Sequence, residues 1–118
     1  MYKVVKIGEK DMPLLSNGAT PLRYRKIFHK DLLAELQKAD ENNLDFISEV
    51  GYIMAMQAEA KEGRINIDEI TVSTYETWLE AFEPLDMLRA SKEILKVYTA
   101  NLKTTSVPKK NNGRPKGK

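Results

Sequence analysis

The chain contains no cysteine and only one histidine, His29, among its 118 residues. Disulfides, thiolate metal sites and cysteine nucleophiles are therefore excluded, and one imidazole cannot form a multi-histidine metal site within one chain. His29 has no nucleophile motif near it and is predicted to be an exposed or half-buried residue at a helix end. The six glycines are scattered and form no phosphate-binding loop. These absences favour a protein that is not an enzyme and carries neither a cofactor nor a metal ion.

Long hydrophobic runs are also missing, and the mean hydropathy is -0.48. A membrane-spanning helix needs ~20 mostly apolar residues, which no part of the chain supplies. Residues 1–6 alternate polar and apolar side chains and lack the apolar segment of a signal peptide. We therefore expect one cytosolic domain without a transmembrane segment.

The net charge of +2 conceals three blocks of alternating sign. Residues 1–30 carry seven basic and two acidic side chains, residues 31–86 carry three and fourteen, and residues 87–118 carry nine and one. A nucleic-acid-binding domain usually presents one dominant basic face, so nucleic acid is not the expected partner. The pattern favours electrostatic pairing within the chain or between its copies. We therefore expect a homo-oligomer that salt weakens.

The first fifteen residues predict a β-hairpin. Strand-forming Val4, Val5 and Ile7 precede turn residues 8–11, and residues 12–15 continue as a second strand. The proline in that second strand cannot donate to a ladder, which predicts an edge strand. The hairpin is therefore expected to have a four-residue turn and to be short.

Apolar residues at helical spacing follow the hairpin. Thr20 is the predicted N-cap of the first helix. The remaining helices are predicted from Asp31, over 45–62, from Ser73 or Thr74 to Phe82, and over 85–102. Gly51 and Ala55 lie four residues apart, so another helix could approach closely there. The fold class is thus mainly α (α+β): a short N-terminal β-hairpin followed by a bundle of about four to five helices.

Residues 1–102 are predicted to fold as a single helical domain with the N-terminal hairpin. Its mostly buried residues are predicted to include Tyr24, Phe28, Leu36, Ile47, Met54, Trp78 and Leu95. Residues 103–118 hold six Lys or Arg side chains, no acid and one apolar side chain. That composition predicts a disordered basic tail. The tail lacks aromatic residues that stack on bases, which favours a solubilising role over contact with nucleic acid.

Two groups of residues are candidates for binding a partner. Arg23, Tyr24 and Arg25 could form an anion or carboxylate clamp on the first helix. The alternative places Tyr24 in the core and pairs the cluster with the acidic middle of the chain. Trp78 and Phe82 lie four residues apart and are either core residues or interface anchors. The residues alone leave both alternatives open.

Residues 17–33 resemble the opening motif of tail assembly chaperones from siphophages that infect Gram-positive bacteria. In that family a short strand pair leads to the pattern Thr-x-x-Arg-Tyr-Arg-x-x-Phe-x-x-Asp-Leu. The matching residues here are Thr20, Arg23, Tyr24, Arg25, Phe28, Asp31 and Leu32. The later Trp78 and Leu79 and the Lys/Pro/Gly-rich end are similar in layout. His29 stands where the family often has glycine.

The resemblance implies a non-enzymatic chaperone that binds the tape measure protein and keeps it soluble until tail tube subunits polymerise around it. Such a protein acts in the host cytoplasm and is not retained in the mature virion. A free tape measure protein exposes long apolar helical stripes, which a helical, oligomeric domain could cover by a helix-in-groove contact.

The family commonly makes a longer form of the chaperone by programmed ribosomal frameshifting, and that form is a further expected partner. The codons of Lys109 and Lys110, or of Gly117 and Lys118, permit a slippery heptamer. Two other functions compete with the chaperone: a structural head–tail connector or tail completion protein, and a small nucleic-acid-binding regulator.

Overall fold

The computed structural model describes residues 1–38 and 43–106, with side chains as far as residue 100. It opens with an antiparallel hairpin of β1 (Tyr2–Ile7) and β2 (Lys10–Leu15). Within that described part, the following elements are α1 (Thr20–Phe28), α2 (Leu32–Lys38), α3 (Leu44–Lys61), a 3-10 helix (Ile67–Glu69), α4 (Val72–Leu79) and α5 (Asp86–Ser106). The predicted fold class, an N-terminal hairpin followed by a mainly helical body, is confirmed.

The hairpin turn is shorter than predicted. Ile7 pairs with Lys10, so the loop consists of Gly8 and Glu9 alone. Gly8 has a φ of 63°, and two-residue hairpin loops need such positive φ values. The four-residue prediction was wrong because lysine and aspartate are weak strand formers. In the structure Asp11 lies in the strand opposite Lys6, and its carboxylate is 3.3 Å from the Lys6 ammonium group.

Helix α3 is the centre of the fold. β2 and α1 pack on it, and α5 packs against both α3 and β1. Its apolar side chains are buried on most faces: Phe46, Ile47, Val50, Tyr52, Ile53, Met54, Ala55 and Ala58. A helix enclosed in this way has to be apolar almost all round. The helix ends in a Schellman motif, with Gly63 at a φ of 78° just after the C-cap.

Gly51 lies at the contact between α3 and α5. A Cβ atom at this position would meet Cγ2 of Ile94 at 3.5 Å, which is an ordinary van der Waals distance. The close helix approach expected at Gly51 and Ala55 is therefore made by α5 of the same chain. A bulky replacement of Gly51 would disturb this packing first, so it is not a specific probe of self-association.

The start of α1 differs from the prediction. The N-cap is Ala19, and Thr20 is the first helical residue. The Thr20 hydroxyl does not cap the helix, because it accepts hydrogen bonds from the Asn17 amide (3.0 Å) and from Nε2 of Gln57 (2.9 Å). A threonine expected to act locally is therefore a long-range link between α1 and α3.

Helix α4 begins two to three residues earlier than predicted and ends sooner. Thr71 and Thr74 form a reciprocal capping box, so neither Ser73 nor Thr74 is the N-cap. The helix ends at Leu79, and Phe82 lies in the turn that follows. The hydroxyl of Thr71 stabilises the first turn of α4. At the other end, the apolar side chain of Phe82 favoured a longer helix in the sequence, but it lies beyond the last helical residue.

The fully buried residues of α5 do not include the leucines whose side chains the structure describes. The buried residues are Met87, Ala90, Ser91, Ile94, Val97 and Tyr98. Leu88 is exposed and Leu95 is half-buried. The small side chains of Ala90 and Ser91 lie on the buried face, where α5 packs against β1 and α3. Of the residues of α5, only Leu95 was predicted to be in the core, and it lies at the margin of this face.

The predicted core is confirmed for Tyr24, Ile47 and Met54, which are fully buried. The other four predicted core residues are only half-buried: Phe28, Leu36, Trp78 and Leu95. They pack against the core from its margin, where no further layer of the described chain covers them. Helix α5 extends to Ser106, four residues into the segment predicted to be a disordered tail. Residues 107–118, with both candidate slippery codon pairs, lie outside the described residues.

Candidate partner-binding surface

A continuous row of aromatic rings connects α1, α3 and α4. Neighbouring ring centroids are 5.0 to 6.0 Å apart, within the range in which aromatic pairs attract. The members of this aromatic row, in order, are Phe46, Tyr24, Phe28, Tyr75, Tyr52, Trp78 and Phe82. Three of the five predicted partner-binding residues therefore belong to one packed structure: Tyr24, Trp78 and Phe82.

Tyr24 occupies the buried end of the aromatic row. Its hydroxyl donates to Oε1 of Glu49 at 2.7 Å, and the Lys30 ammonium group lies 3.0 Å from the same oxygen. Burial, together with this hydrogen bond to the Glu49 carboxylate, raises the pKa of Tyr24 well above its ordinary value. Tyr24 thus lies in the core and pairs with the acidic middle of the chain, as one of the two alternatives predicted.

Trp78 and Phe82 form the outer end of the aromatic row. Both are half-buried, and their ring centroids are 5.0 Å apart. Trp78 also packs on Tyr52, which is fully buried, with centroids 5.3 Å apart. Leu85 and Leu88 follow in the sequence and are exposed. Trp78 and Phe82 therefore combine inward packing with partial exposure.

Arg23 and Arg25 do not form the predicted clamp. Nη1 of Arg23 donates to Oε1 of Gln57 at 2.9 Å, and Arg23 is half-buried. Arg25 is exposed. Residues two apart on a helix project to nearly opposite sides, so the two guanidinium groups diverge. The two arginines are close in the sequence but not adjacent on the helix surface, so the described structure does not bring them together.

Arg23 lines an open groove between α1 and the connector that carries the 3-10 helix. One opening has a volume of about 190 Å³. Its lining residues are Ala19, Leu22, Arg23, Lys26, Ile27, Ile67, Asp68 and Ile70. A second opening of about 430 Å³ shares Arg23 and Ile67 with the first and reaches Lys61 and the end of β2. We refer to the two together as the α1 groove.

The α1 groove combines an apolar lining with positive charge. Leu22 is 59% exposed although it is a large aliphatic side chain. Arg23, Lys26 and Lys61 supply three cationic groups, against the single carboxylate of Asp68. Such a surface suits a partner that presents apolar side chains flanked by acidic ones.

Sequence reasoning missed most of the α1 groove. Ile27 lies three residues after Tyr24 and so on the same side of α1, whereas Leu22 lies off that face. Ile67 and Ile70 belong to a connector about forty residues further on, and only the tertiary fold brings them beside α1. The one available signal was Leu22 itself, an isolated leucine among charged neighbours.

Neither a metal-binding cluster nor a membrane-spanning helix is found among the described residues. Among residues 1–38 and 43–106, no three His, Asp or Glu side chains are grouped as a metal ion would need. In the same part of the chain, no helix combines the length and apolar character that crossing a bilayer requires. His29 is exposed, and its backbone adopts a left-handed conformation with a φ of 58° as the C-cap of α1. It is thus the helix-end residue that the sequence predicted.

The buried tyrosines predict a loss of stability at alkaline pH. Burial raises the pKa of Tyr24, Tyr52 and Tyr98, and raises that of Tyr75 to about 12. The unfolded chain releases these protons near pH ~10, whereas the folded protein still holds them. Their contribution is therefore complete below pH ~10 and is lost as the pH rises through the folded-state pKa values.

Urea unfolding at constant ionic strength should show a midpoint that falls steadily above pH ~10. Ultraviolet absorbance of tyrosinate, followed in parallel, should rise together with unfolding. A constant urea midpoint up to pH ~12, with full tyrosine ionisation in the folded state, would contradict the burial of these hydroxyl groups.

The residues that carry the resemblance to tail assembly chaperones mostly have interior roles. Five of the seven matching positions are buried or half-buried: Thr20, Arg23, Tyr24, Phe28 and Leu32. Arg25 and Asp31 are exposed. The motif therefore anchors α1 to α3 and fixes the position of the α1 groove.

Comparisons of the chain with protein families, curated proteins and solved structures find no match. The resemblance of residues 17–33 to tail assembly chaperones therefore stays a prediction. What the chain binds is inferred from the α1 groove and from that resemblance.

Proposed function

We propose that this protein is a phage tail assembly chaperone that binds the tape measure protein and keeps it soluble while the tail tube assembles. The α1 groove is the observation that supports the proposal. It holds Leu22, the most exposed of the large hydrophobic side chains in the described part of the chain. A tape measure protein has apolar helical stripes to cover, and an amphipathic helix binds by laying its apolar face into a groove of this kind.

The charges around the α1 groove define the bound segment further. Arg23 and Lys26 lie beside the opening of about 190 Å³, and Lys61 lies beside the larger one. Acidic residues that flank the apolar stripe of the tape measure protein would approach these cations. Binding should therefore be faster at low ionic strength, since opposite charges on the two surfaces steer the encounter.

The small size of the α1 groove fits a chaperone that tail tube subunits later displace from the tape measure protein. A stable protein interface buries ~800 Å² on each partner, and a groove of this volume receives only a short segment of helix. Each contact is then weak, and several copies bind along one tape measure protein. Tail tube subunits could displace such contacts one at a time as they polymerise.

A co-expression experiment tests the proposal with two matched leucines. Leu22 lies in the α1 groove and is 59% exposed, whereas Leu33 lies on α2, outside the groove, and is 49% exposed. The tape measure protein encoded in the same genome is expressed with the wild type, Leu22→Asp or Leu33→Asp. Losing an interface anchor of ~2 kcal/mol weakens binding about 30-fold. Leu22→Asp should therefore leave the tape measure protein insoluble, while Leu33→Asp should keep it soluble.

Both variants change exposed residues, so their melting temperatures should match that of the wild type. Equal solubilisation by both variants would show that the α1 groove is not the binding site. Failure of the wild-type protein to solubilise the tape measure protein would refute the chaperone function itself.

Purified virions separate the chaperone from its structural alternative. A tail assembly chaperone should be absent from them, whereas a head–tail connector or tail completion protein should remain. An antibody raised against residues 1–100, used on a blot of purified virions, would distinguish the two outcomes. The same antibody applied to infected cells would reveal a longer frameshifted form, if one is made.

A further inference from the structure

Among the described residues, the hydrogen-bond pattern of the hairpin leaves one side of β1 without a backbone partner. Met1 and Ser16 exchange both of their backbone hydrogen bonds, each 2.8 Å long. In an antiparallel ladder such pairs alternate with pairs that are not hydrogen-bonded. Tyr2, Val4 and Lys6 therefore direct their N–H and C=O groups away from β2. These groups form the free edge of β1.

The corresponding edge of β2 is already closed at two positions. Pro13, which is paired with Val4, has no N–H to donate. The Leu15 carbonyl already accepts a hydrogen bond of 2.7 Å from Nε2 of Gln57. By contrast, the β1 edge retains its donors, and the side chains of Tyr2 and Val4 are 56% and 49% exposed. The β1 side is therefore the edge that offers an uninterrupted set of backbone groups for extending the sheet.

We propose that β1 pairs antiparallel with β1 of a second copy of this chain, about a two-fold axis that passes beside Val4. The pairing joins the two hairpins into one four-stranded sheet with the strand order β2–β1–β1–β2. Val4 then lies opposite Val4 of the partner subunit, and Tyr2 lies opposite Lys6 of the partner subunit. This register is the one that uses the outward groups of all three residues.

The charges on β1 are compatible with this pairing. Lys3 lies 3.4 Å from the Glu93 carboxylate, and Lys6 lies 3.3 Å from Asp11. Each lysine thus has an acidic partner in its own chain, and the register centred on Val4 sets no two lysines directly opposite each other. Centring the pairing on Lys3 would oppose two lysines, which is destabilising. A shift by one residue would turn the wrong face outward.

A single-cysteine experiment tests the register, since the native chain has no cysteine. Opposed residues of a hydrogen-bonded antiparallel pair have Cα atoms ~5.5 Å apart, which a disulfide can bridge. Val4→Cys should therefore form a covalent dimer under mild oxidation. In the same register Tyr2 lies opposite Lys6 of the partner subunit, so the two Tyr2 positions are offset by four residues along the strands, or ~14 Å. Tyr2→Cys should therefore not form a covalent dimer. Equal cross-linking of the two variants would overturn the proposed pairing.

A proline substitution tests the edge itself. Val4→Pro removes an outward N–H and no hydrogen bond of the β1–β2 ladder, as Pro13 does on the facing strand. In sedimentation experiments the wild-type chain should show a concentration-dependent dimer, and Val4→Pro should raise its dissociation constant at least ~10-fold. A wild-type chain that stays monomeric at millimolar concentration, or a dimer that Val4→Pro leaves intact, would overturn the proposal. The outcome is independent of tape measure binding.

Discussion

Replacing Tyr24 by alanine is expected to lower the free energy of unfolding by about 3–5 kcal/mol. The ring of Tyr24 is fully buried and contacts the rings of Phe28 and Phe46, with centroids 5.3 and 6.0 Å away. Its hydroxyl also donates to Glu49. Small domains are stable by only ~5–15 kcal/mol, so the variant should be marginally folded. Thermal unfolding followed by circular dichroism should show a melting temperature lowered by at least ~10 °C.

Two further tyrosine variants separate the causes of this loss. Tyr24→Phe keeps the ring and removes the hydroxyl, so it should cost only about 1–2 kcal/mol, because Glu49 retains its ion pair with Lys30. Tyr2→Ala removes a ring that is mostly exposed and should change the melting temperature little. Equal effects of Tyr24→Ala and Tyr2→Ala would disprove that the aromatic row is part of the core.

Short-range signals in the sequence were sufficient to predict which elements form. α3 is apolar on nearly every face, and Gly63 follows its end, so both its position and its burial could be predicted. The hairpin was predictable for the same reason, since strand-forming Val4, Val5 and Ile7 precede the turn residues and apolar residues follow them. Each of these features depends on residues within a few positions of one another, where spacing and backbone preference dominate.

Long-range contacts account for the features that the sequence did not reveal. Thr20 was predicted to cap its own helix, but it bonds to Gln57, thirty-seven residues away. Leu95 was predicted to be mostly buried, but the packing of α5 on β1 and α3 places Ala90 inside and leaves Leu95 at the margin. The spacing of apolar residues along a helix predicts how wide its apolar face is. Which part of that face is buried depends on the helices and strands that pack against it.

The candidate binding residues illustrate the same limit. Arg23 and Tyr24 are adjacent in the sequence but face different surroundings, one the α1 groove and the other the aromatic row. The sequence could identify both as unusual without assigning either a partner. Leu22, by contrast, is marked in the sequence only by its charged neighbours. Its place in the α1 groove depends on the tertiary fold, which brings Ile67 beside α1.

Gln57 is the polar side chain that links the hairpin, α1 and α3. Its Nε2 donates to the Leu15 carbonyl at 2.7 Å and to the Thr20 hydroxyl at 2.9 Å, and its Oε1 accepts from Arg23 at 2.9 Å. Both amide hydrogens and the carbonyl oxygen are therefore used in a buried setting. No apolar side chain of similar size could make these three hydrogen bonds.

Gln57→Leu should consequently destabilise the fold although leucine is apolar and of similar volume. The Leu15 carbonyl and the Thr20 hydroxyl would each lose a donor, and a buried polar group left unsatisfied costs ~1–3 kcal/mol. We expect a loss of about 2–4 kcal/mol in the free energy of unfolding, measured by urea denaturation. Hydrogen exchange should also be faster at the amides of α1 that follow Thr20.

The matched control is Gln37→Leu, which makes the same chemical change at an exposed position on α2. A surface substitution of this kind usually changes stability by less than ~0.5 kcal/mol. If both leucine variants unfolded at the same urea concentration, the hydrogen bonds of Gln57 would have no net role in stability. A selective loss in Gln57→Leu would show that this amide, rather than apolar burial at the site, holds α1 and the hairpin against α3.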